Sequence, residues 1–337
     1  MSAPSQTVLS LSQLMRWNPT PDPALIGPSL LPAQGILFVG GEPKVGKSLL
    51  VANLALALAA GSSRTGFDIP APARVLLCQF ELPLEAFAAR LAQMRQTLGS
   101  AADDNLWVDT CATGHLLSTH DGLNHFLAAA RTAQAQVLVL DPLYSAHDQD
   151  ENDTRAMAAL CQSLLRLRQA SQAALIVVHH VRKSVARHEV GSALRGSSAL
   201  HAVGDSYLLL RRPSALPNSL ELCFQFRYAP ALSPRRLRLD PATLWFHPSG
   251  QAPTPAPSRR KVQSLDVQDA LHHLGASAGY NQLRDQIMRT CDCSKRTAQL
   301  AIARAFEQGR ILRDQGRYGL PPDFAAGSRR LQTPPAG

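Results

Sequence analysis

The sequence predicts an α/β fold: a mostly parallel sheet with antiparallel edge strands, followed by a separate, smaller α+β module. Three observations predict it. Short apolar runs alternate with helical patterns between Gln34 and Leu210, the periodicity changes to two alternating segments after Arg212, and a Pro- and Ala-rich stretch then sets off the last quarter of the chain.

The apolar runs are GILFVG, ARVLLCQFEL, AQVLVLD, AALIVVHH and DSYLLLRR. Such continuous runs belong to strands covered on both faces. KSLLVANLALALAAG, LEAFAARLAQMRQTLGS and TRAMAALCQSLLRLRQAS lie between them and read as helices. Strand and helix in alternation predict a parallel sheet. SLELCFQFRYA and RRLRLDPATLWFH alternate as two antiparallel strands added at the edge, which places the end of the first domain near residue 250, with a short N-terminal segment over 1–30. HPSGQAPTPAPSRRK reads as a semi-stiff linker centred on 251–263.

The module over 264–322 opens with the helix LDVQDALHHLG, capped by Ser264 and stopped by Gly275, followed by NQLRDQIMRT and a CDC turn. A third helix, KRTAQLAIARAFEQG, is capped by Ser294 and carries Ala298, Ile302, Ala305 and Phe306 on its apolar face. The hairpin ILRDQGRYGL completes the pattern of a winged helix-turn-helix, and 323–337 reads as a disordered tail. Lys295, Arg296, Thr297 and Gln299 start the third helix, the end that reaches bases and phosphates in a major groove, while Arg310, Arg313 and Arg317 surround the hairpin. Protein docking is the alternative use of such a module.

Composition bounds the function. Of 337 residues 45% are hydrophobic and 18% charged, enough for a buried core and too little charge for a disordered chain. No leader pattern and no 18-residue apolar stretch occurs, so a cytoplasmic, membrane-free protein is expected. Six scattered cysteines read as core thiols, and Cys291 and Cys293 lack a second pair at zinc spacing. The net charge is +9; from Pro253 to Gly337 there are 13 Lys and Arg against 7 Asp and Glu, which points to a polyanion partner for that region.

One motif carries the chemistry. Gly41, Glu42, Pro43, Lys44, Val45, Gly46, Lys47 and Ser48 spell G-x-x-x-x-G-K-S between a strand and a helix that continues at Leu49. Backbone N–H groups there curl around a β-phosphate, the helix N-terminus adds partial positive charge, Lys47 reaches the β- and γ-phosphates, and Ser48 holds Mg²⁺. ATP and Mg²⁺ are therefore the expected ligands. Asp141, closing the strand VLVLD, is the candidate second Mg²⁺ residue, and Glu81, at the end of VLLCQFEL, could orient or deprotonate a water. His179 and His180 end the strand ALIVVHH at the same sheet edge, with buried structural histidines as the alternative.

With GGEPKVGKS, QFEL, VLVLDPLYS, DENDT, VVHHVRKS and LRGSSALHAVGDSYLLL in this order, residues 20–250 resemble the RepA-type hexameric replicative helicases of plasmids and their RecA-like relatives. The resemblance implies Glu81 as catalytic base, Asp141 as Walker B acid and His179 as γ-phosphate sensor. It implies a homo-oligomeric ring, expected as a hexamer, completed by an arginine from the next subunit. Arg227 is the candidate finger, with Arg195, Arg211 and Arg212 as alternatives. It also implies single-stranded DNA in the ring, contacted by Arg182, Lys183, Arg187 and Arg195, and a replication initiator or primase as a possible partner. The competing expectation is a DNA-binding regulator or loader in which ATP only switches assembly.

Overall fold

The computed structural model of the chain describes residues 8–16, 24–181, 198–213, 216, 218–251, 263–291 and 293–321. The chain divides into two compact units, 1–254 and 255–337. Residues 252–262 of the linker expected over 251–263, the expected tail from 323 and the basic residues Arg182, Lys183, Arg187 and Arg195 lie outside the described residues, whereas Gln251 ends β9 and Gln263 precedes the first helix of the second unit.

In the first unit a short helix α1 (Leu11–Arg16) precedes β1 (Ile36–Gly41), α2 (Lys47–Ala60), β2 (Val75–Gln79) and α3 (Leu84–Arg95). Then come β3 (Leu106–Asp109), α4 (His120–Thr132), β4 (Val137–Asp141), a 3-10 turn (Leu143–Ala146), α5 (Thr154–Ser171) and β5 (Ala174–His180). The unit ends with α6 (Ser198–Val203), β6 (Ser206–Arg211), β7 (Ser219–Phe226), β8 (Arg235–Asp240) and β9 (Trp245–Gln251). The strands form one sheet in the order β3-β2-β4-β5-β1-β6-β7-β8-β9. From β3 to β6 neighbouring strands are parallel, and from β6 to β9 they are antiparallel.

Side-chain alternation along the strands explains the layers. Leu37 and Val39 of β1 face a core with α2 and α3, whereas Ile36 and Phe38 face a core with α4, α5 and α6. Both faces are covered, which is why the parallel strands read as unbroken apolar runs. Asn53 is a polar exception inside the first core. Its side-chain amide donates to the Leu244 carbonyl (3.1 Å) and accepts from the Phe246 N–H (2.8 Å), tying α2 to the β8–β9 hairpin.

Three sequence expectations change here. RRLRLDPATLWFH is not one strand: it folds back through residues 241–244 into β8 and β9, with Leu244 at φ 57°. β7, which ends just before Arg227, is flanked by β6 and β8, and β9 forms the edge of the sheet. LWVD and HDGLNHFLAAART, unread in the sequence, form β3 and α4.

The second unit runs α7 (Ser264–His273), β10 (Ser277–Gly279), α8 (Tyr280–Thr290), α9 (Lys295–Glu307), β11 (Leu312–Asp314) and β12 (Arg317–Gly319), with its small sheet in the order β10-β12-β11. Its core gathers Val267, Leu271, Leu283, Ile287, Ile302 and Ile311. Gln315 and Gly316 both take positive φ (44° and 80°), as a two-residue hairpin turn requires. Ser264 is the first residue of α7 rather than its cap; Gln263 caps it, and its N–H donates to the Asp266 carboxylate at 2.7 Å. Phe306 is half exposed, edge-on to Tyr318, instead of buried.

Candidate nucleotide site

Ligands in open α/β sheets bind beyond the carboxyl ends of the parallel strands. Strand register brings the candidate residues there. Gly41 of β1 is level with His180 of β5, and Gln79 of β2 with Asp141 of β4. Between β1 and α2 the chain makes its loop with Lys44 at φ 61° and Gly46 at φ 113°, the latter a conformation that disfavours any side chain. Gly41 is needed for space, because a Cβ there would lie 2.8 Å from Val45 Cγ1 and 3.0 Å from the Leu210 carbonyl. Gly46 is the N-cap of α2 and offers no side-chain acceptor, so the first N–H groups of the helix stay available to an anion.

Lys47 is only 7% exposed. Its ammonium donates to the carbonyls of Gly41 (2.9 Å) and Glu42 (3.0 Å) and lies 3.3 Å from His180 Nδ1. Burial pulls its pKa below the usual ammonium range, opposed by the charges of Asp141 and Glu81. Ser48 Oγ donates to Asp141 Oδ1 at 3.0 Å, and Asp141, 3% exposed, is pushed up to about 6 by burial. A hydroxyl and a carboxylate side by side at the mouth of a phosphate-binding loop are the oxygen donors that Mg²⁺ takes, so the residues fit the ion. When bound, the ion would neutralise charge on the phosphate oxygens.

The cavity in front of the loop holds about 420 Å³ and is lined by Pro43, Lys44, Gly46, Lys47, Ser48 and Leu49 on one side. Glu81, Arg90, Pro142, Val178 and His180 line the rest. Glu42 and Val45 belong to the loop backbone, with the Val45 N–H donating to the Glu42 carbonyl at 3.3 Å. Glu81 stands two residues beyond the end of β2, exposed, in a turn where the Leu82 N–H donates to Gln79 Oε1 at 3.0 Å. Arg212, just past β6, donates to the Lys44 (3.3 Å) and Val45 (3.4 Å) carbonyls and holds the loop from the outside.

The two histidines separate. Neighbouring residues on a strand face opposite sides. His180 meets Lys47 and, edge-on, the ring of Tyr144 at 6.3 Å, whereas His179 is fully buried with Nε2 3.9 Å from Glu151 Oε1. The sequence expected His179 at the phosphates; the imidazole lining the cavity is that of His180. Arg227 follows Phe226, which pairs with Ser206 at the amino end of β6, so it lies at the sheet edge opposite its own loop, its guanidinium donating to the Ala202 carbonyl.

Arg90 was missed by sequence reasoning. Its signal was present, for it stands three residues after Phe87 and four before Met94, the buried pair of α3. In the second unit Lys295 and Arg296 are exposed on the first turn of α9, Gln299 is half-buried, and Ser294 caps the helix by accepting from the Thr297 N–H at 3.2 Å.

A family profile described as AAA domain matches residues 4–186, more than half of the chain. The chain belongs to the AAA domain family. No curated protein matches it. Among solved structures, this AAA domain protein is similar to a DnaB-like replicative helicase studied with its interactions with primase, at 14% identity and a TM-score of 0.53, covering 72% of this chain and 68% of that one. That likeness shows a RecA-like fold. It is also similar to the ATPase domain of G40P, at 15% identity, TM-score 0.49 and coverage of 64% and 84%, and to the RadB recombinase, at 17%, 0.45, 63% and 90%. Loop, family and fold together make the AAA domain protein a P-loop ATPase. No helix among its described residues is long and apolar enough to cross a membrane.

Proposed function

We propose that the chain is an ATP-hydrolysing DNA motor, a RepA-type hexameric helicase that couples hydrolysis to movement along single-stranded DNA. The observation that carries this reading is the contact between Lys47 and His180: the P-loop ammonium touches the last residue of β5, and the basic sequence beginning at Arg182 follows directly. Nucleotide state at the loop thereby reaches the residues expected to hold DNA phosphates, which basic segments bind without reading sequence.

In this reading Lys47 and the loop N–H groups hold the phosphates, Ser48 and Asp141 hold Mg²⁺, and Glu81 orients the attacking water. His180 takes the sensing role first assigned to His179, which supports the strand end through Glu151. Arg227 lies too far from its own loop to serve it, so an arginine finger there would act on a neighbouring subunit. The order of helices and strands in the second unit supports a winged helix, with Lys295, Arg296 and Gln299 toward duplex DNA.

That same module favours a second reading, a DNA-binding regulator or loader in which ATP switches assembly. ATP hydrolysis by wild type and Lys47→Ala, with and without single-stranded DNA, together with opening of a forked duplex, separates the two. The motor requires stimulation by single strands and fork opening that Lys47→Ala abolishes. Slow, DNA-indifferent turnover with no opening would leave the regulator.

A further inference from the structure

We propose that the second unit carries a stacking surface for the unpaired bases of single-stranded DNA, built from Phe306, Tyr318 and Tyr280 and edged by Arg313. This goes beyond the reading above, which gives the unit only duplex DNA at the start of α9, and it does not depend on the nucleotide site.

Aromatic side chains bury more apolar area than any others, and they ordinarily dominate a core. The second unit departs from that pattern. None of its buried core residues, from Val267 and Leu271 to Ile302 and Ile311, is aromatic. Among the described residues the unit has three aromatic side chains, and all three meet at the margin of that core. The Tyr280 and Tyr318 ring centroids lie 6.1 Å apart at 44°, and those of Phe306 and Tyr318 lie 6.3 Å apart at 83°. Phe306 stays 48% exposed although it directly follows the fully buried Ala305.

The small sheet explains the arrangement. Ala278, Tyr318 and Arg313 lie opposite one another across β10, β12 and β11, so they share a face, and along that row the side chains pass from buried through half-buried to exposed. The Arg313 guanidinium lies over the Tyr318 ring, 5.6 Å from its centroid. Between residues 304 and 317 four arginines, Arg304, Arg310, Arg313 and Arg317, stand against Glu307 and Asp314. Rings beside an excess of arginine match a strand whose bases are free to stack and whose phosphates are negative, whereas an apolar protein partner leaves that charge unanswered. Such stacking does not read sequence, because every base presents a π face. Phe306 stands about 15 Å along α9 from Arg296 at the helical rise per residue, so the surface is distinct from the basic first turn.

The test uses the full chain as wild type, Phe306→Leu and Phe306→Trp, with oligothymidine carrying 5-iododeoxyuridine as the single strand and a blunt duplex for comparison. The oligothymidine is expected to photocrosslink to Tyr280, Phe306 or Tyr318 in the wild type. Phe306→Leu is expected to lose that crosslink and to bind the oligothymidine about 10-fold more weakly, while Phe306→Trp keeps both. Duplex affinity and DNA-independent ATP hydrolysis should be the same in all three. Absence of crosslinks at the three rings, or a crosslink and affinity that survive Phe306→Leu, overturns the proposal and leaves the nucleotide site and the duplex reading standing. Equal losses in Phe306→Leu and Phe306→Trp overturn it in favour of a packing role. A change of oligomeric state in Phe306→Leu at unchanged oligothymidine affinity overturns it in favour of a contact between copies of the chain. Should Phe306→Leu melt early, the crosslink map of the wild type decides.

Discussion

Asp141 combines two demands that pull against each other. It closes a fully buried strand, yet its chemistry at a phosphate site requires a charged carboxylate. Burial holds it at about 6 against an ordinary 3.8, so between those values the folded chain binds more protons than the unfolded one, and stability falls as pH rises through that window. In metal-free buffer Asp141→Asn is therefore expected to be more stable than wild type at pH 7.5, by on the order of 2 kcal/mol, and indistinguishable from it near pH 4. Thermal melts across that range check it; a gain that persists at pH 4 would show a packing effect instead. The loop glycines, Lys47, Ser48 and Asp141 were legible because each sits at a fixed offset from a strand end. Which of His179 and His180 lines the cavity was not, because two adjacent polar residues closing an apolar strand do not reveal its facing. Arg90 was hidden for a different reason: an arginine on a helix is ordinarily solvated, and only the burial of Phe87 and Met94 gives its position meaning.

Between elements, the antiparallel strands do more than extend the sheet. Phe246 and Trp245 of β9 are buried against α2 and α3, Trp245 Nε1 donates to the Met94 carbonyl at 2.8 Å, and Asn53 closes the joint. Asn53→Ala removes the partner of the buried Phe246 N–H and of the Leu244 carbonyl, which should cost about 2–4 kcal/mol, and Asn53→Asp, which keeps the acceptor but buries a carboxylate against the Leu244 carbonyl, should also destabilise at neutral pH. Urea unfolding measures both, and a cost for Asn53→Ala below about 1 kcal/mol would mean that the bonds do not matter. The parallel strands were readable from continuous apolar runs with helices between. The β8–β9 hairpin was not, since its turn holds DPAT without a glycine and places Leu244 in a left-handed conformation that leucine rarely signals. β3 was unreadable because only four residues pair and Trp107 among them is exposed.

For the whole molecule, two units with separate cores imply separable work. A chain ending at Thr254 is expected to fold and to bind ADP with the affinity of the full protein, while losing any affinity for duplex DNA that resides in α9. Lys295→Ala with Arg296→Ala in the full chain should then weaken duplex binding and flatten its salt dependence by about two phosphate contacts, with nucleotide affinity intact. Calorimetry for the nucleotide and a salt titration of duplex binding read both; loss of ADP affinity on truncation would show that the second unit completes the site. The division was visible in the sequence because Pro- and Ala-rich composition interrupts both periodicities at once.

The Lys47 ammonium has three N–H bonds and three acceptors, two carbonyls and the His180 imidazole. Filling the loop is therefore an exchange rather than an addition, for a phosphate oxygen that takes one N–H must displace an acceptor. The longest and weakest of the three is His180, at 3.3 Å against 2.9 and 3.0 Å for the carbonyls. The imidazole is the first to be let go. On the reading proposed above, the end of β5 gives up its lysine contact when a phosphate arrives and regains it when the loop empties, which makes the strand a recorder of the nucleotide's coming and going.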